Sequence, residues 1–242
     1  MRTLIENQRY DEERSLYALK DADVKNCVFA GPADGESVLK EARDVSLENC
    51  RFSLRYPLWH VEGFKLHDSS LDEATRAPIW YSRDGIITDS DLNCIKAVRE
   101  CQNIKISDCN IASEEFGWKC DGITITDSTL KAQYVFLDSK NVTVYDSVVK
   151  GEYLAWFSEG LTLVNCKIIG TQPLCYCKNL TLVNCTMEGT DLAFEYSDVN
   201  ADIKGSILSV KNPRSGHITA DAVGEVIFGD AVMECTGEVH IR

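Results

Sequence analysis

The hexapeptide LTLVNC occurs twice in the chain, at residues 161–166 and again at 180–185, an interval of nineteen residues. That interval is too long for a helical heptad and too short for a separate domain. Looser copies of the pattern run through most of the chain, at residues 22–27, 45–50, 64–69, 85–90, 104–109, 123–128, 142–147 and 201–206. A repeat of this length predicts a solenoid, in which one short structural unit stacks on the next.

Two columns of the repeat contain only residues that tolerate a left-handed backbone. The fifth position of every copy is Asn, Asp or Gly, and so is the position five residues earlier, from Gly63 to Asn200. These residue types adopt the left-handed conformation at little cost, so both columns predict turns. Between the columns, apolar and polar residues alternate, as in Leu161-Thr162-Leu163, which is the period of a half-buried strand.

The remainder of each repeat predicts two more short strands. A Ser or Cys follows the Asn/Asp position and an apolar residue comes two positions later, while segments such as 134–139 and 152–158 are β-branched and aromatic. Three strands in nineteen residues predict an all-β fold, a parallel β-helix whose equivalent residues stack ~4.8 Å apart. A leucine-rich repeat is the alternative. That repeat needs two residues between its last Leu and its Asn, and a helical segment that leads to the next strand, and neither is found.

The chain is predicted to be a single β-helix domain over residues 1–242. Residues 22–206 would form the repeated rungs, and 207–242 the C-terminal rungs and cap. Residues 1–21 would form an N-terminal cap, and their charged and apolar residues allow a short amphipathic helix. Caps are expected because the open ends of a solenoid would otherwise expose core side chains and unpaired strands.

Composition restricts the partners and the location. A formal net charge of −13 disfavours nucleic acid and anionic membranes as partners. There is no run of eighteen apolar residues and no signal pattern at the N-terminus, which predicts a cytoplasmic protein whose eleven cysteines are reduced packing thiols. Histidines at 60, 67, 217 and 240 show no metal-ligand spacing, so neither a metal nor a cofactor is predicted.

Six segments of the chain resemble those of a known family: GPADGES (31–37), YPLWH (56–60), FGWKCD (116–121), GEYLAWFSEGLTLVNCKIIGTQPLCY (151–176), FEYSDV (194–199) and SVKNPRSG (209–216). The family is the bacterial domain of unknown function 3737. This resemblance implies a single-stranded right-handed parallel β-helix similar to pectin lyases, and it implies no established activity. The N-T-D, D-D, G-H-G and R-I-K motifs of polygalacturonases with that fold are not found on consecutive rungs, so the resemblance supplies no catalytic residue.

All the tryptophans occupy one column of the third predicted strand: Trp59, Trp80, Trp118 and Trp156. Strict alternation favours an inward column, with Arg99 between Trp80 and Trp118 as a cation–π contact, although an outward column that stacks on sugars stays open. If the column points inward, the neighbouring positions face solvent. They predict an aromatic partner or ligand surface, comprising His60, Tyr81, Glu115, Tyr134, Phe136, Tyr153, Phe157 and Tyr176.

Two functions fit this pattern. Five consecutive steps of nineteen residues leave no long loops to build a cleft, which favours a non-enzymatic binding or self-assembling module that forms a homodimer. The alternative is a carbohydrate-binding or polysaccharide-cleaving protein of the pectin-lyase-like type. Its catalytic candidates are Glu100, Lys119 and Asp138, one column on successive rungs. The two carboxylates would lie ~10 Å apart, beyond the ~6.5–9.5 Å of inverting glycosidases, and an ion-pair ladder is their other expected role.

Overall fold

The structure is a computed structural model that describes residues 2–31 and 36–242. The described residues form strands and turns without a helix, and the fold is the right-handed parallel β-helix that the repeat and the family resemblance predict. This part of the chain therefore offers no helix with the length and hydropathy to cross a membrane. Residues 32–35, which belong to the GPADGES segment, lie outside the described residues.

The chain divides into two compact units, Met1–Thr124 and Ile125–Arg242. The single domain predicted from the sequence stays a prediction.

In the first unit, strands of successive rungs pair in parallel along each side of the coil. The strands of its first side are β1 (Thr3–Glu6), β3 (Lys20–Lys25), β5 (Arg43–Glu48), β8 (Glu62–His67), β11 (Arg83–Thr88) and β14 (Gln102–Ser107). Those of the second side are β2 (Arg9–Tyr10), β4 (Val28–Ala30), β6 (Arg51–Ser53), β9 (Ser70–Leu71), β12 (Asp91–Cys94) and β15 (Asn110–Phe116). The third side has three two-residue strands, β7 (Leu58–Trp59), β10 (Ile79–Trp80) and β13 (Val98–Arg99). Strand β16 (Asp121–Thr126) contains the residue at which this unit ends.

The second unit repeats the parallel pairing along its own two strand-bearing sides. The strands of its first side are β18 (Thr143–Tyr145), β20 (Thr162–Val164), β22 (Leu180–Glu188), β23 (Asp198–Lys204), β25 (Ser215–Ala220) and β27 (Glu238–Ile241). Those of the second side are β17 (Thr129–Val135), β19 (Val148–Lys150), β21 (Lys167–Ile169), β24 (Ser206–Lys211) and β26 (Ala222–Ile227), and the later part of β22 also pairs with β21.

The register of these strands explains the repeated hexapeptide. Thr162 pairs with Thr181 and Leu163 with Leu182, so the two LTLVNC copies lie directly above one another. Both leucines are buried, and burial of such a side chain stabilises a fold by about 1.5–3 kcal/mol. An identical sequence recurs because each rung presents the same environment to its neighbour.

Both turn columns adopt the predicted backbone. Every residue at the fifth position, from Asn26 to Gly205, has a positive φ angle between 47° and 81°. The earlier column also has positive φ angles from Gly63 to Asn179, but Asn200 does not, because it lies within strand β23. Amide side chains of the fifth column also bond to the rung below, as in the 2.7 Å bond that Asn184 Nδ2 donates to Asn165 Oδ1.

The N-terminal helix is a wrong prediction. Thr3–Glu6 pairs with Ala22–Lys25, and Arg9–Tyr10 pairs with Val28–Phe29, so this segment forms a first rung with strands of its own. A short isolated helix is only marginally stable, and pairing with the next rung satisfies the same backbone groups against a packed surface. Tyr10 and Phe29 stack with ring centroids 5.4 Å apart, which fixes this rung on the second.

The column of Ser and Cys that follows the turn carries buried polar contacts. Ser90 Oγ accepts a 3.1 Å bond from Ser69 N–H and donates a 2.7 Å bond to the Thr88 carbonyl. Cysteine fills the same column at Cys50 and Cys109. All eleven cysteines are free and ten of them are buried, which confirms the packing-thiol prediction, whereas the cytoplasmic location stays a prediction.

Replacement of Ser90 by alanine should lower the free energy of unfolding by about 1–3 kcal/mol, because the buried Ser69 N–H loses its acceptor. Ser90→Cys should lose less, since a thiol serves this column on other rungs. Urea unfolding of the two variants measures the difference. Equal losses in both would show that the hydrogen bond contributes nothing there.

Candidate functional site

The third side of the first unit carries a row of stacked side chains, here called the tryptophan ladder, which consists of Lys40, Trp59, Trp80, Arg99 and Trp118. Lys40 Nζ lies 4.0 Å from the Trp59 ring centroid, and the Trp59 and Trp80 rings stack 5.5 Å apart at 11°. Arg99 Cζ follows at 5.8 Å from Trp80 and 3.8 Å from Trp118. The predicted position of Arg99 between two tryptophans is confirmed, and cations cover ring faces at both Trp59 and Trp80.

The tryptophans lie at the outer surface, so their inward orientation is a wrong prediction. Trp59, Trp80 and Trp118 are half-buried, whereas Leu58 and Ile79, which alternation places outside, are at most 1% exposed. Strict alternation fails because residues with a left-handed backbone conformation flank these two-residue strands. His60 and Tyr81, for example, have φ angles of 57° and 52°. The same rule fails at Val98, Phe136 and Leu174, which it also places on the outer face and which are buried.

A second exposed row lies beside the ladder. His60 and Tyr81 stack with ring centroids 5.2 Å apart, and Tyr81 also stacks on Trp80. Tyr81 is 43% exposed. A hydrogen bond to the carboxylate of Glu100 raises the pKa of the Tyr81 hydroxyl above its ordinary value. The two predicted surface residues, His60 and Tyr81, are therefore accessible and adjacent.

The acidic residues near the ladder are held in ion pairs. Glu100 Oε1 lies 3.4 Å from both Arg99 Nε and Trp80 Nε1, and Glu115 contacts Lys96 at 3.0 Å and Arg99 at 3.2 Å. The Glu115 side chain is only 15% exposed. These contacts fit the ion-pair role, the other role that the sequence predicts for this column.

The other two catalytic candidates are exposed. Lys119 lies one rung from Glu100, whose backbone N–H donates a 2.8 Å bond to the Trp118 carbonyl. Asp138 belongs to the second unit, where its N–H bonds to the Trp156 carbonyl at 2.9 Å. A catalytic role for Glu100, Lys119 and Asp138 stays a prediction.

The second unit has its own aromatic cluster, formed by Tyr134, Tyr153, Trp156, Phe157 and Tyr176. Tyr134 and Tyr153 stack 5.5 Å apart, and Phe157 and Tyr176 stack 4.9 Å apart. Trp156 meets Tyr153 and Phe157 edge to face, and its Nε1 donates a 2.7 Å bond to the Gln172 carbonyl. Phe157 is 54% exposed, so the cluster ends in an accessible apolar ring.

The prediction that Phe136 belongs to this surface is wrong. Its side chain is fully buried, with 0% exposure. Phe136 has a φ angle of 56° and Asp138 one of 53°. These left-handed residues turn the chain, so Phe136 points into the core where alternation would direct it outward. Segments 154–157 and 173–176 are likewise turns, where the repeat predicts a third strand.

The described residues contain one group that could hold a metal. His217, Glu238 and His240 place three ligand atoms within 4.8 Å of one another on strands β25 and β27. The sequence gives no sign of this group, because its histidines are 23 residues apart and only the strand pairing brings them together. The sequence does not mark Lys40 either, since it lies in a turn outside every repeat column. The sequence did contain one sign that the tryptophan column faces outward. Arg99 belongs to that column, and an arginine is rarely buried in a core.

Several solved structures are similar to this chain at low identity. The mannuronan C-5 epimerase AlgE6 A-module of Azotobacter vinelandii is 8% identical, with 98% of this chain and 85% of that chain covered and a TM-score of 0.42. The catalytic domain of a GH87 alpha-1,3-glucanase is 9% identical, with 98% and 63% covered and a TM-score of 0.42. HetL, a pentapeptide repeat protein from the cyanobacterium Nostoc sp. strain PCC 7120, is 15% identical, with 88% and 87% covered and a TM-score of 0.35.

None of these likenesses carries an inference about activity. Curated protein sequences give no match to this chain. A family description does match, over residues 3–142 and 135–241, and together these ranges cover almost all of the sequence. The chain therefore belongs to the family described as "Protein of unknown function (DUF3737)".

Proposed function

We propose that this protein is a non-enzymatic binding module that associates with a second copy of itself through the aromatic cluster of its second unit. The observation that carries the proposal is Phe157, a large apolar side chain that is 54% exposed and stacked against Tyr176. Exposed aromatic rings held in place by their neighbours are typical of interface centres, because they lose little conformational freedom when they are covered.

The stacking favours a protein partner over a sugar. Pyranose rings bind to open aromatic faces, but Phe157 and Tyr176 cover each other at 4.9 Å, and Tyr134 and Tyr153 do so at 5.5 Å. Stacking covers one face of each ring, so less open aromatic face is left for a pyranose. A protein interface can also use the ring edges.

The charges next to Phe157 favour a second copy of the chain as the partner. A net charge of −13 makes most faces of two copies repel one another. Lys140, Glu159 and Lys178 are exposed and pair in register on successive rungs, so this strip alternates in sign. A two-fold axis that passes between the rungs of Lys140 and Glu159 would place Lys140 of each copy opposite Glu159 of the other. Such reciprocal pairing is the self-complementarity of an isologous interface.

Light scattering of the wild type should give the mass of a dimer, and Phe157→Asp should weaken that dimer by at least about thirtyfold. This factor corresponds to the loss of about 2 kcal/mol that defines an interface hot spot. Tyr145→Asp is the matched control, because Tyr145 is an exposed aromatic residue of the second unit on β18, away from the cluster.

A wild type that is monomeric at every accessible concentration would overturn self-association. If that monomer bound acidic or neutral glycans and Phe157→Asp abolished the binding, the carbohydrate alternative would replace it. Equal dimer weakening by Phe157→Asp and Tyr145→Asp would place the interface elsewhere.

A further inference from the structure

We propose that His217, Glu238 and His240 form a binding site for a divalent transition metal, with zinc the best match. The site is separate from the aromatic cluster, and it does not depend on self-association. Its three side chains are exposed and belong to strands β25 and β27 of the second unit.

The backbone register holds the three side chains on one face of the sheet. His217 pairs directly with Glu238 in the parallel ladder, and His240 lies two residues after Glu238 on the same strand. Side chains two residues apart on a strand point to the same face, and paired residues on adjacent strands are neighbours. The arrangement therefore comes from strand pairing that the rest of the rung enforces.

The distances match the edges of a zinc coordination sphere. Glu238 Oε2 lies 3.4 Å from His217 Nδ1 and 3.1 Å from His240 Nε2. A tetrahedral zinc ion with ligands at ~2.0–2.1 Å separates neighbouring ligand atoms by about 3.4 Å. Both distances from Glu238 are already close to this value. Only the two imidazole nitrogens, which lie within 4.8 Å of each other, need to come closer. Their ring centroids are 5.9 Å apart, and both side chains are more than half exposed and able to turn.

The ligand set is chemically selective. Two imidazoles and one carboxylate suit zinc and similar borderline-soft ions, whereas calcium and magnesium prefer oxygen ligands throughout. Three protein ligands leave a fourth position for water or another molecule. The chain's charge of −13 also raises the local concentration of divalent cations around an exposed site.

Another exposed histidine provides a matched control. His67 Nδ1 lies 3.3 Å from Asp89 Oδ2, so it has a carboxylate neighbour in the first unit, but no second imidazole completes a three-ligand group among the described residues there. A weak imidazole–carboxylate association with zinc would occur at His67 as well. A three-ligand site would occur only at His217, Glu238 and His240.

Zinc affinity and stoichiometry of the folded, fully reduced protein can be measured by competition with a chromophoric chelator. One equivalent of zinc should bind. Loss of a residue that only hydrogen-bonds to a metal ligand already weakens metal binding by about 10- to 100-fold, and loss of a ligand itself should weaken it at least as much. His217→Ala and His240→Ala should therefore each weaken it by at least about tenfold, and His67→Ala should leave it unchanged. Cys235, which is half-buried, is the most accessible thiol, so Cys235→Ser tests whether a thiol binds the zinc. This variant should also leave the zinc affinity unchanged.

Cobalt substitution gives a second readout that does not depend on affinity. Bound Co²⁺ should show visible absorption from nitrogen and oxygen ligands, without a thiolate-to-cobalt charge-transfer band. A thiolate-to-cobalt band would overturn the proposed site. So would binding of one equivalent of zinc by His217→Ala and by His240→Ala with unchanged affinity. Absence of zinc binding by the wild type would overturn it equally.

Discussion

Replacement of Gly170 by alanine should lower the free energy of unfolding by at least about 4 kcal/mol. Gly170 has a φ angle of 133°, which side-chain-bearing residues rarely adopt. A Cβ atom there would overlap the carbonyl oxygen of Gly151 and lie 2.8 Å from its carbonyl carbon.

Neither backbone segment can move aside easily. Gly151 N–H donates a 3.0 Å bond to the Ile169 carbonyl, and Gly170 N–H donates a 3.2 Å bond to the Glu188 carbonyl. These bonds belong to the turn where the second side of each rung meets the third. A shift that relieved the overlap would therefore break rung-to-rung hydrogen bonds on both sides of Gly170.

Gly189→Ala provides the matched control for this prediction. Gly189 is one rung further along the same column and has a φ angle of 65°, and no atom lies within 4 Å of the position that an alanine Cβ would take there. Its substitution should cost only the left-handed penalty of about 1–2 kcal/mol. Urea unfolding monitored by circular dichroism measures both losses, and equal losses would show that the overlap at Gly170 is relieved by small backbone shifts.

The rung could be predicted from the sequence because its positions are locally constrained. Asn165 and Asn184 stand where the backbone must be left-handed, and Leu163 and Leu182 stand where a side chain must fill the coil. These requirements recur at each rung, so the sequence repeats them and a single chain displays the pattern several times.

The orientation of the third side could not be predicted in the same way. Period two is a property of continuous strands, but the third side has two-residue strands or turns bounded by left-handed residues. Those left-handed positions are occupied by residues such as His60 and Phe136, not by Asn or Gly. The sequence therefore gives no turn signal at these positions. Alternation therefore assigns the tryptophan column and Phe136 to the wrong faces.

The metal-binding group escaped prediction for a different reason. Its ligands depend on the pairing of β25 with β27, where His217 meets Glu238 across 21 residues. This part of the chain has left the nineteen-residue step, so extrapolation of the repeat does not give its register. Metal-ligand spacing rules describe ligands within one turn or helix and do not cover neighbouring rungs of a coil.

Alkali should unfold this protein through ionisation of its buried thiols. Burial raises the pKa of Cys50 and of Cys109 to about 11, and that of Cys94 and of Cys175 to about 12, from an ordinary value of 9.0. Each of these thiols stays protonated in the folded chain at a pH where it ionises in the unfolded chain. Stability from burial of the neutral thiol is thus fully present below pH 9 and is lost as the pH rises toward 11–12.

The expected loss is steep because several thiols act together. Each contributes a slope of about 1.4 kcal/mol per pH unit between the two pKa values, so the four named thiols give roughly 5 kcal/mol per pH unit. A typical domain has only about 5–15 kcal/mol of stability, so the loss of about 10 kcal/mol between about pH 9 and about pH 11 should unfold a chain of average stability. Urea unfolding in reducing buffer from pH 7 to pH 10.5 measures the slope directly.

Cys94→Ala tests the assignment of this slope to buried thiols. Cys94 is 3% exposed, so its removal should reduce the alkaline slope by about 1.4 kcal/mol per pH unit, whatever it does to stability at pH 7. Cys235→Ala, which removes a half-buried thiol, should change the slope less. An unchanged slope in Cys94→Ala would assign the alkaline loss to other groups. A smaller slope would show that the thiols stacked inside the coil limit its stability to neutral and acidic solution, because their packing requires the neutral form.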